Sequence, residues 1–512
     1  MSGVGAGTAG EAADPVRVGD TAAPARVGDT AKPARAGDRL LSNAGALMAG
    51  RLAVAIMGWV GSVLITRTLT PTQFGQFALV FSVLGMLSIV TEMGIGRVAI
   101  SGVLDPTRDR ATFAGTYVVL RSSLGLLGYL MAVGFVLVLN YPPVVVRTML
   151  VAGLVVLLAT PSHAYNVAFQ SMLQMPRVAV AEVFGQSAQL ALTVAIALRW
   201  GTVTWFAVPA VLCEIVIFSM KRTMAHRLMA FRYRIDTKVW RALLREAVPI
   251  SVGTALSTVY YRLDSVMLSK LDTYRSVGLY NVAYKFVDLA HFGSSALTIP
   301  VLTLLVRAWP DDDAGFRNAV RRGVGILAVI ATVVVAEITV FSTDALGLLY
   351  PKYVAADGAT RLLVLAECIA YFGNFAFAIL LATGRHRGYP LVTGAGLLLN
   401  IVLNLALIPR YSYHAAALNT LITELLVTAL LWFMVRRLPN LRHLGIARLG
   451  MLPLVIVAGA AAGYAVKQVA PWPIAAAVTA ATALGLCEVL HVAGPGRLVQ
   501  ALGVGHHEAG PA

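Results

Sequence analysis

Four basic residues sit deep inside long apolar runs: Arg51, Arg121, Arg262 and Lys285. A cation near the centre of a hydrocarbon layer costs about 2.5–3.5 kcal/mol even on lenient insertion scales. Such residues must face a hydrated cavity or paired acids, and the chemistry open to them is anion binding. The spacing around Arg262 is helical. Ser251, Thr254, Thr258, Arg262, Ser265 and Ser269 recur at intervals of three and four and share one stripe. Asn281, Lys285, Asp288 and Ser295 make a second stripe on the following run. Two neighbouring polar stripes read as the wall of a hydrated cavity, lined by Thr258, Asn281 and Asp288. At about 1.5 Å per residue, Arg51 and Arg121 fall in the inner half of the membrane and Arg262 and Lys285 in the outer half. A large anionic headgroup handed between the two pairs would use all four. The alternative is that Lys285 pairs with Asp288 one turn on, while the arginines snorkel or pair. Of the acids inside the runs, Asp264 and Glu337 are the candidates for carrying a coupling ion.

These residues need helices to hold them. Of 512 residues, 58% are hydrophobic and 13% charged, against about 25% charged in soluble domains. No water-soluble enzyme or nucleic-acid-binding protein can hide that much apolar surface. The net charge of +16 instead reflects basic loops between spans. From residue 41 onward fourteen apolar runs follow one another, each long enough for a roughly 30 Å hydrocarbon core. Basic residues concentrate in the segments that become cytoplasmic when the N-terminus is inside, so the topology expected is N-in, C-in.

The expected fold is an all-α polytopic membrane protein with a six-helix N-terminal lobe over 41–220 and a six-helix C-terminal lobe over 246–437. A basic cytoplasmic linker over 221–245 joins them, and two extra helices follow over 438–493. Residues 1–40, with a nine-residue period from Pro15, Pro24 and Pro33, are expected as a disordered low-complexity tail. Residues 494–512 are expected as a cytoplasmic tail. Cys213, Cys368 and Cys487 lie in apolar runs without metal-ligand spacing. With no P-loop and no catalytic triad motif, the expectation is a non-enzyme without metal or cofactor.

The two lobes are related. SVLITRTLTPTQFGQFALVF from Ser62 matches SVMLSKLDTYRSVGLYNVAY from Ser265 at a constant offset of 203 residues. Arg67 pairs with Lys270, Gly75 with Gly278 and Phe81 with Tyr284. Internal repeats with a site at their interface are a transporter architecture.

Three stretches carry a family resemblance. RTLTPTQFGQFALVFSVLGMLSIVTEMGIG resembles the first loop and second helix of Wzx-type polysaccharide flippases of the MOP exporter superfamily. The run from Arg245 to Phe286 is similar to that family's seventh and eighth helices at Pro249, Arg262, Asp264, Gly278 and Tyr280. The stretch around Gly384, Asn400, Asn404 and Pro409 resembles its eleventh. A departure is Tyr411-Ser412-Tyr413-His414, where the family usually has a Gly-rich turn. The resemblance implies two lobes that rock around a cavity and flip an undecaprenyl-diphosphate-linked oligosaccharide to the outer leaflet of the cell membrane for a surface polysaccharide. It implies Arg51 and Arg262 as diphosphate contacts, and membrane lipids, a polymerase and glycosyltransferases as partners, with no nucleic acid. Alternatives are a lipid II flippase or multidrug exporter of the same superfamily, or a membrane polysaccharide polymerase or glycosyltransferase.

Overall fold

The computed structural model describes residues 33–92, 94–199, 201–438, 441, 450–490 and 492. Most of the expected N-terminal tail and all of the expected C-terminal tail lie outside them. The chain divides into Met1–Ala46 and Leu47–Ala512. Of the first unit only the helical stretch 33–46 is described. It belongs to a helix that begins at Pro33, inside the segment expected as a tail.

The described residues are helical and hold no strand. In chain order the helices are α1 Pro33–Thr68, α2 Pro71–Glu92, α3 Ile95–Leu104, α4 Arg110–Val138, α5 Pro143–Ala152, α6 Leu154–Ala164, α7 Asn166–Ser171, α8 Met175–Arg199 and α9 Val208–Leu228. Then follow α10 Thr237–Leu271, α11 Tyr274–Ala308, α12 Asp313–Leu349, α13 Asp357–Ala382, α14 Tyr389–Arg436, α15 Leu452–Lys467 and α16 Trp472–Val489. Their starts carry ordinary signals. Asp236 accepts from the backbone N–H of Lys238 at 2.9 Å and of Val239 at 3.2 Å, and Asp312 accepts from Gly315 at 2.7 Å.

Nine of these segments among the described residues are long and apolar enough to cross a membrane. The expected sixth, seventh, eighth and thirteenth spans are not among them. They fall on α9, on α10 and α11, and on the 16-residue α15. The helices α10 and α11 are 35 residues each; α10 carries Arg262 and Asp264, which dilute its apolar signal, and α11 carries Lys285 and Asp288. The expected eleventh and twelfth spans form one element, α14, broken at Ser412, where φ is 58° and ψ is −147°. The expected fourth span lies in one membrane-length segment, Pro143–Ser171, in which α5, α6 and α7 follow one another through Gly153 and Tyr165, both of helical φ and ψ. Large apolar side chains lie exposed at helical spacing, as at Met48, Leu52 and Ile56 on α1 and at Leu398, Val402 and Leu405 on α14. Such stripes need a hydrocarbon solvent.

The linker expected over 221–245 is mostly helix. α9 continues to Leu228 and α10 starts at Thr237, leaving 229–236 between them. Lys221 is buried against Glu182 at 3.3 Å, because an ammonium withdrawn from water requires a carboxylate. The start of α10 buries Leu243 and Ala247 among Phe113, Ala114, Tyr117 and Ala225 of α4 and α9. A larger apolar cluster joins Leu79, Val83, Val145 and Met149 of α2 and α5 to residues of α10–α14. The helices α15 and α16 pack on each other and on α12.

Candidate functional site

Arg262 lies in the C-terminal third of α10 and is exposed. Its side chain crosses to α2 at Gly85, where an added β-carbon would lie 3.3 Å from Nε and 3.6 Å from Cδ. The bare backbone of Gly85 is what lets the guanidinium lie there. Among the described residues Arg262 takes part in no ion pair or side-chain hydrogen bond. Lys285 on α11 is half-buried and interacts electrostatically with Asp288 and Arg262. It makes no contact ion pair with Asp288, which is itself exposed. The structure therefore brings Arg262, Lys285 and Asp288 into one charged group on α10 and α11. Thr258 is half-buried on the same helix as Arg262. Asn281 donates from Nδ2 to Ser265 Oγ at 3.0 Å, joining the two stripes. The side chains of Ser251, Thr254 and Ser295 lie outside the described residues.

The other two expected cations are placed differently. Arg51 is exposed on α1, next to Gly50, which packs on Ala179 of α8. Arg121 is 2% exposed and fully engaged. Its Nε donates to Thr160 O at 3.2 Å, Nη1 donates to Thr91 O, and Nη2 meets Glu92 at 3.3 Å. The physical reason is the end of α2. That helix stops at Glu92, which leaves the Thr91 carbonyl without a helical donor, and Arg121 supplies one. Arg121 thus ties α2, α4 and α6 together instead of lining a cavity.

Asp264 points away from Arg262, as their two-residue separation requires. It is 2% exposed, and three side chains donate to it. Asn404 Nδ2 donates to Oδ1 at 2.7 Å, while Thr420 at 3.0 Å and Tyr280 donate to Oδ2. Asn404 also donates to Asn400 at 2.9 Å and accepts from Asn419 at 2.9 Å. This oxygen- and amide-rich cluster joins α10, α11 and both halves of α14. Glu337, the other coupling candidate, is elsewhere: it lies on α12 facing Ala480 of α16.

Two histidine–carboxylate pairs escaped sequence reasoning. His163 on α6 meets Glu92 at 3.0 Å, and His291 on α11 meets Glu367 on α13 at 2.7 Å. Spacing rules see one helix at a time, and these partners lie on different helices. A cavity of about 710 Å³ opens along Thr237, Lys238, Arg241, Ala242, Arg245 and Glu246 at the start of α10. Among the described residues no three His, Cys, Asp or Glu side chains are placed to hold a metal ion.

The apolar stripes and buried polar clusters define a multi-pass membrane protein, and its fold matches solved transporters. Similarity to the lipid II flippase MurJ in an inward closed conformation has a TM-score of 0.69 at 13% identity, covering 89% of this chain and 99% of that one. An inward-facing multidrug resistance MATE family transporter of the MOP superfamily gives 0.64 at 14% identity, over 78% and 96%. A MOP superfamily transporter from Pyrococcus furiosus with a reversed pocket polarity gives 0.54 at 14%, over 80% and 94%. At these identities the likeness is one of fold. The chain belongs to the polysaccharide biosynthesis protein family, which it matches over residues 40–303, just over half its length. An uncharacterized membrane protein of Methanocaldococcus jannaschii is 24% identical over 189 residues, 36% of this chain, and the match spans 37% of that relative's length.

Proposed function

We propose that this protein flips an undecaprenyl-diphosphate-linked oligosaccharide from the inner to the outer leaflet by alternating access, as Wzx-type flippases do, for export of a surface polysaccharide. The observation that carries the reading is Arg262. It is an exposed cation inside α10 without an ion-pair partner among the described residues, laid across Gly85 of α2 with Lys285 beside it. A permanent charge in that position is costly unless it meets an anion, and a diphosphate is the anion that a polysaccharide carrier lipid presents. Guanidinium groups bind phosphate in a fork geometry that suits the task.

In this reading the fourteen-span N-in, C-in arrangement holds, with lobes over 41–220 and 246–437 and the last two helices outside them. Arg51 serves as the partner contact for the diphosphate. Asp264, held by Asn404, Tyr280 and Thr420, is the coupling residue: the cluster offers carboxylate and amide oxygens to a cation, and its carboxylate could equally take a proton. Glu337 stands outside that cluster and has the weaker claim. Glycosyltransferases that build the oligosaccharide and a polymerase that extends it are the expected partners.

The test is the membrane sidedness of the lipid-linked oligosaccharide in a strain lacking this protein. Intact units trapped on the cytoplasmic face support the proposal. Units that reach the outer face but fail to lengthen point to a polymerase instead. An exporter of cationic drugs would favour acids over Arg262 and Lys285 at the same place. A lipid II flippase would leave the oligosaccharide pool unchanged and trap lipid II.

A further inference from the structure

The two histidine–carboxylate pairs occupy corresponding places in the two halves. Glu92 on α2 and His163 on α6 join the second and fourth expected spans of the first lobe. His291 on α11 and Glu367 on α13 join the second and fourth of the other. In each, imidazole Nδ1 meets carboxylate Oε1, at 3.0 Å and 2.7 Å, with acid and base exchanged between the two helices. Their settings differ in one respect. Glu92 is exposed and already has the Arg121 guanidinium. Glu367 is 4% exposed, and its ion-pair partner is His291, which is 53% exposed.

The charges around the second pair sharpen the difference. On α11, Asp288 acts on both members and Lys285 interacts with Asp288. From α14 comes a further carboxyl, Glu424, buried and facing Tyr260. From α10 come Tyr261, which acts on both carboxyls, and Arg262 beside Lys285. Cys368 and Tyr371 stand next to Glu367 on α13, and α12 presents the Ala331 carbonyl at 3.9 Å from Cys368 Sγ. The ionisable side chain of α2 is Glu92, engaged by Arg121 and His163. Glu367 thus lies among acids and phenols, and an unprotonated His291 would leave its carboxylate buried without a counter-charge, which a protein interior resists.

We propose that His291 and Glu367 hold one proton between them and form a proton-binding site of the transport cycle. The proton sits between Nδ1 and Oε1 while Glu367 is buried. It passes to water when movement of the lobes hydrates Glu367, so proton release is tied to the change of access. This rests on the flippase reading for its role and deepens it by naming a coupling site other than Asp264. The Glu92–His163 pair, neutralised by Arg121, has no such need.

Two measurements test this. The first is pH-difference infrared spectroscopy of the purified full-length protein, which needs no cargo. The wild type is expected to show a carboxyl band coupled to an imidazole band, lost in Glu367→Gln and His291→Gln and retained in His163→Gln. Glu367→Gln needs no counter-ion, so it remains informative where His291→Gln fails to fold. The second is flipping of lipid-linked oligosaccharide extracted from the host, in proteoliposomes under an imposed pH gradient. The wild type and His163→Gln are expected to accelerate with the gradient, and Glu367→Gln to lose that response. An unchanged infrared band in Glu367→Gln overturns the site, and a retained gradient response in that variant overturns its coupling role. A wild type that shows the band but flips no oligosaccharide overturns the cargo reading while supporting the proton site.

Discussion

Gly75 and Gly278, related by the 203-residue repeat, touch each other reciprocally where α2 and α11 begin. A β-carbon on Gly75 would lie 1.7 Å from Tyr274 O and 2.9 Å from Gly278 N. A β-carbon on Gly278 would lie 2.1 Å from Pro71 O and 3.2 Å from Gly75 N. Pro71 and Tyr274 are themselves repeat mates, so the contact is self-complementary about a local two-fold, as in an isologous interface. The obstructing atoms are backbone and cannot rotate away.

Gly75→Ala and Gly278→Ala should therefore push the starts of α2 and α11 apart. Overpacking of this kind costs about 1–3 kcal/mol, and a shift of that size changes a two-state population roughly 5–150-fold. Either variant should insert normally but export surface glycan at a reduced rate per molecule. Equal output from both variants and the wild type would show that this contact is not held during the cycle.

Arg262 and Arg121 should separate cleanly. Arg262→Ala is expected to leave membrane insertion and thermal stability nearly unchanged and to abolish transport, because the side chain is exposed and without an ion-pair partner among the described residues. Arg262→Lys should recover part of it, keeping the charge without the fork. Arg121→Ala should instead lower stability by about 1–3 kcal/mol for each of the buried carbonyls of Thr91 and Thr160 that it leaves without a donor. Thermal unfolding in detergent, run beside glycan output, distinguishes the two. A stable but inactive Arg121→Ala would contradict its assignment as a tie between helices.

The Asp264 cluster predicts an asymmetry. Asp264→Asn preserves volume but turns one acceptor into a donor facing Asn404 or the hydroxyls of Tyr280 and Thr420. Leaving buried donors unsatisfied costs about 1–3 kcal/mol per group. Tyr280→Phe removes one donor and leaves Asn404 and Thr420 in place, so it should be milder. Unfolding midpoints that rank the two the other way would sink this description of the cluster.

At the break in α14, Ser412 holds a φ of 58° with ψ of −147°, a region that glycine adopts at least cost. Its hydroxyl donates to Asp272 and contacts Ser276 at 3.1 Å, which fixes the corner against the α10–α11 turn. Ser412→Ala loses the hydrogen bond and keeps the strain, whereas Ser412→Gly loses the bond and relieves the strain. Stability should fall more for Ala than for Gly. The reverse order would mean that the backbone is unstrained there.

What the sequence disclosed depended on whether a signal lay along one helix. The opposite facing of Arg262 and Asp264 follows from a separation of two residues, and the repeat pairing of Gly75 with Gly278 follows from an ungapped offset. Both are local or periodic patterns. The role of Arg121 was not legible, because its partners are the main-chain carbonyls of Thr91 and Thr160, and a carbonyl left open by a helix end has no residue-type signature. The His291–Glu367 pair spans 76 residues and two helices, beyond the reach of spacing. Lys221 reads as the start of a basic loop, and only packing against Glu182 shows it to be interior. The extra-helix boundary after 437 is set by segments whose middle, 442–449, lies outside the described residues.

The most direct test of the central claim is the transbilayer distribution of undecaprenyl-diphosphate-linked oligosaccharide in a deletion strain of the native host, complemented with wild type or with Arg262→Ala. The account predicts that intact, unpolymerised units accumulate on the cytoplasmic face in the deletion strain and with Arg262→Ala, and that the wild type clears them to the surface. Units distributed alike across both faces in all three strains would contradict it.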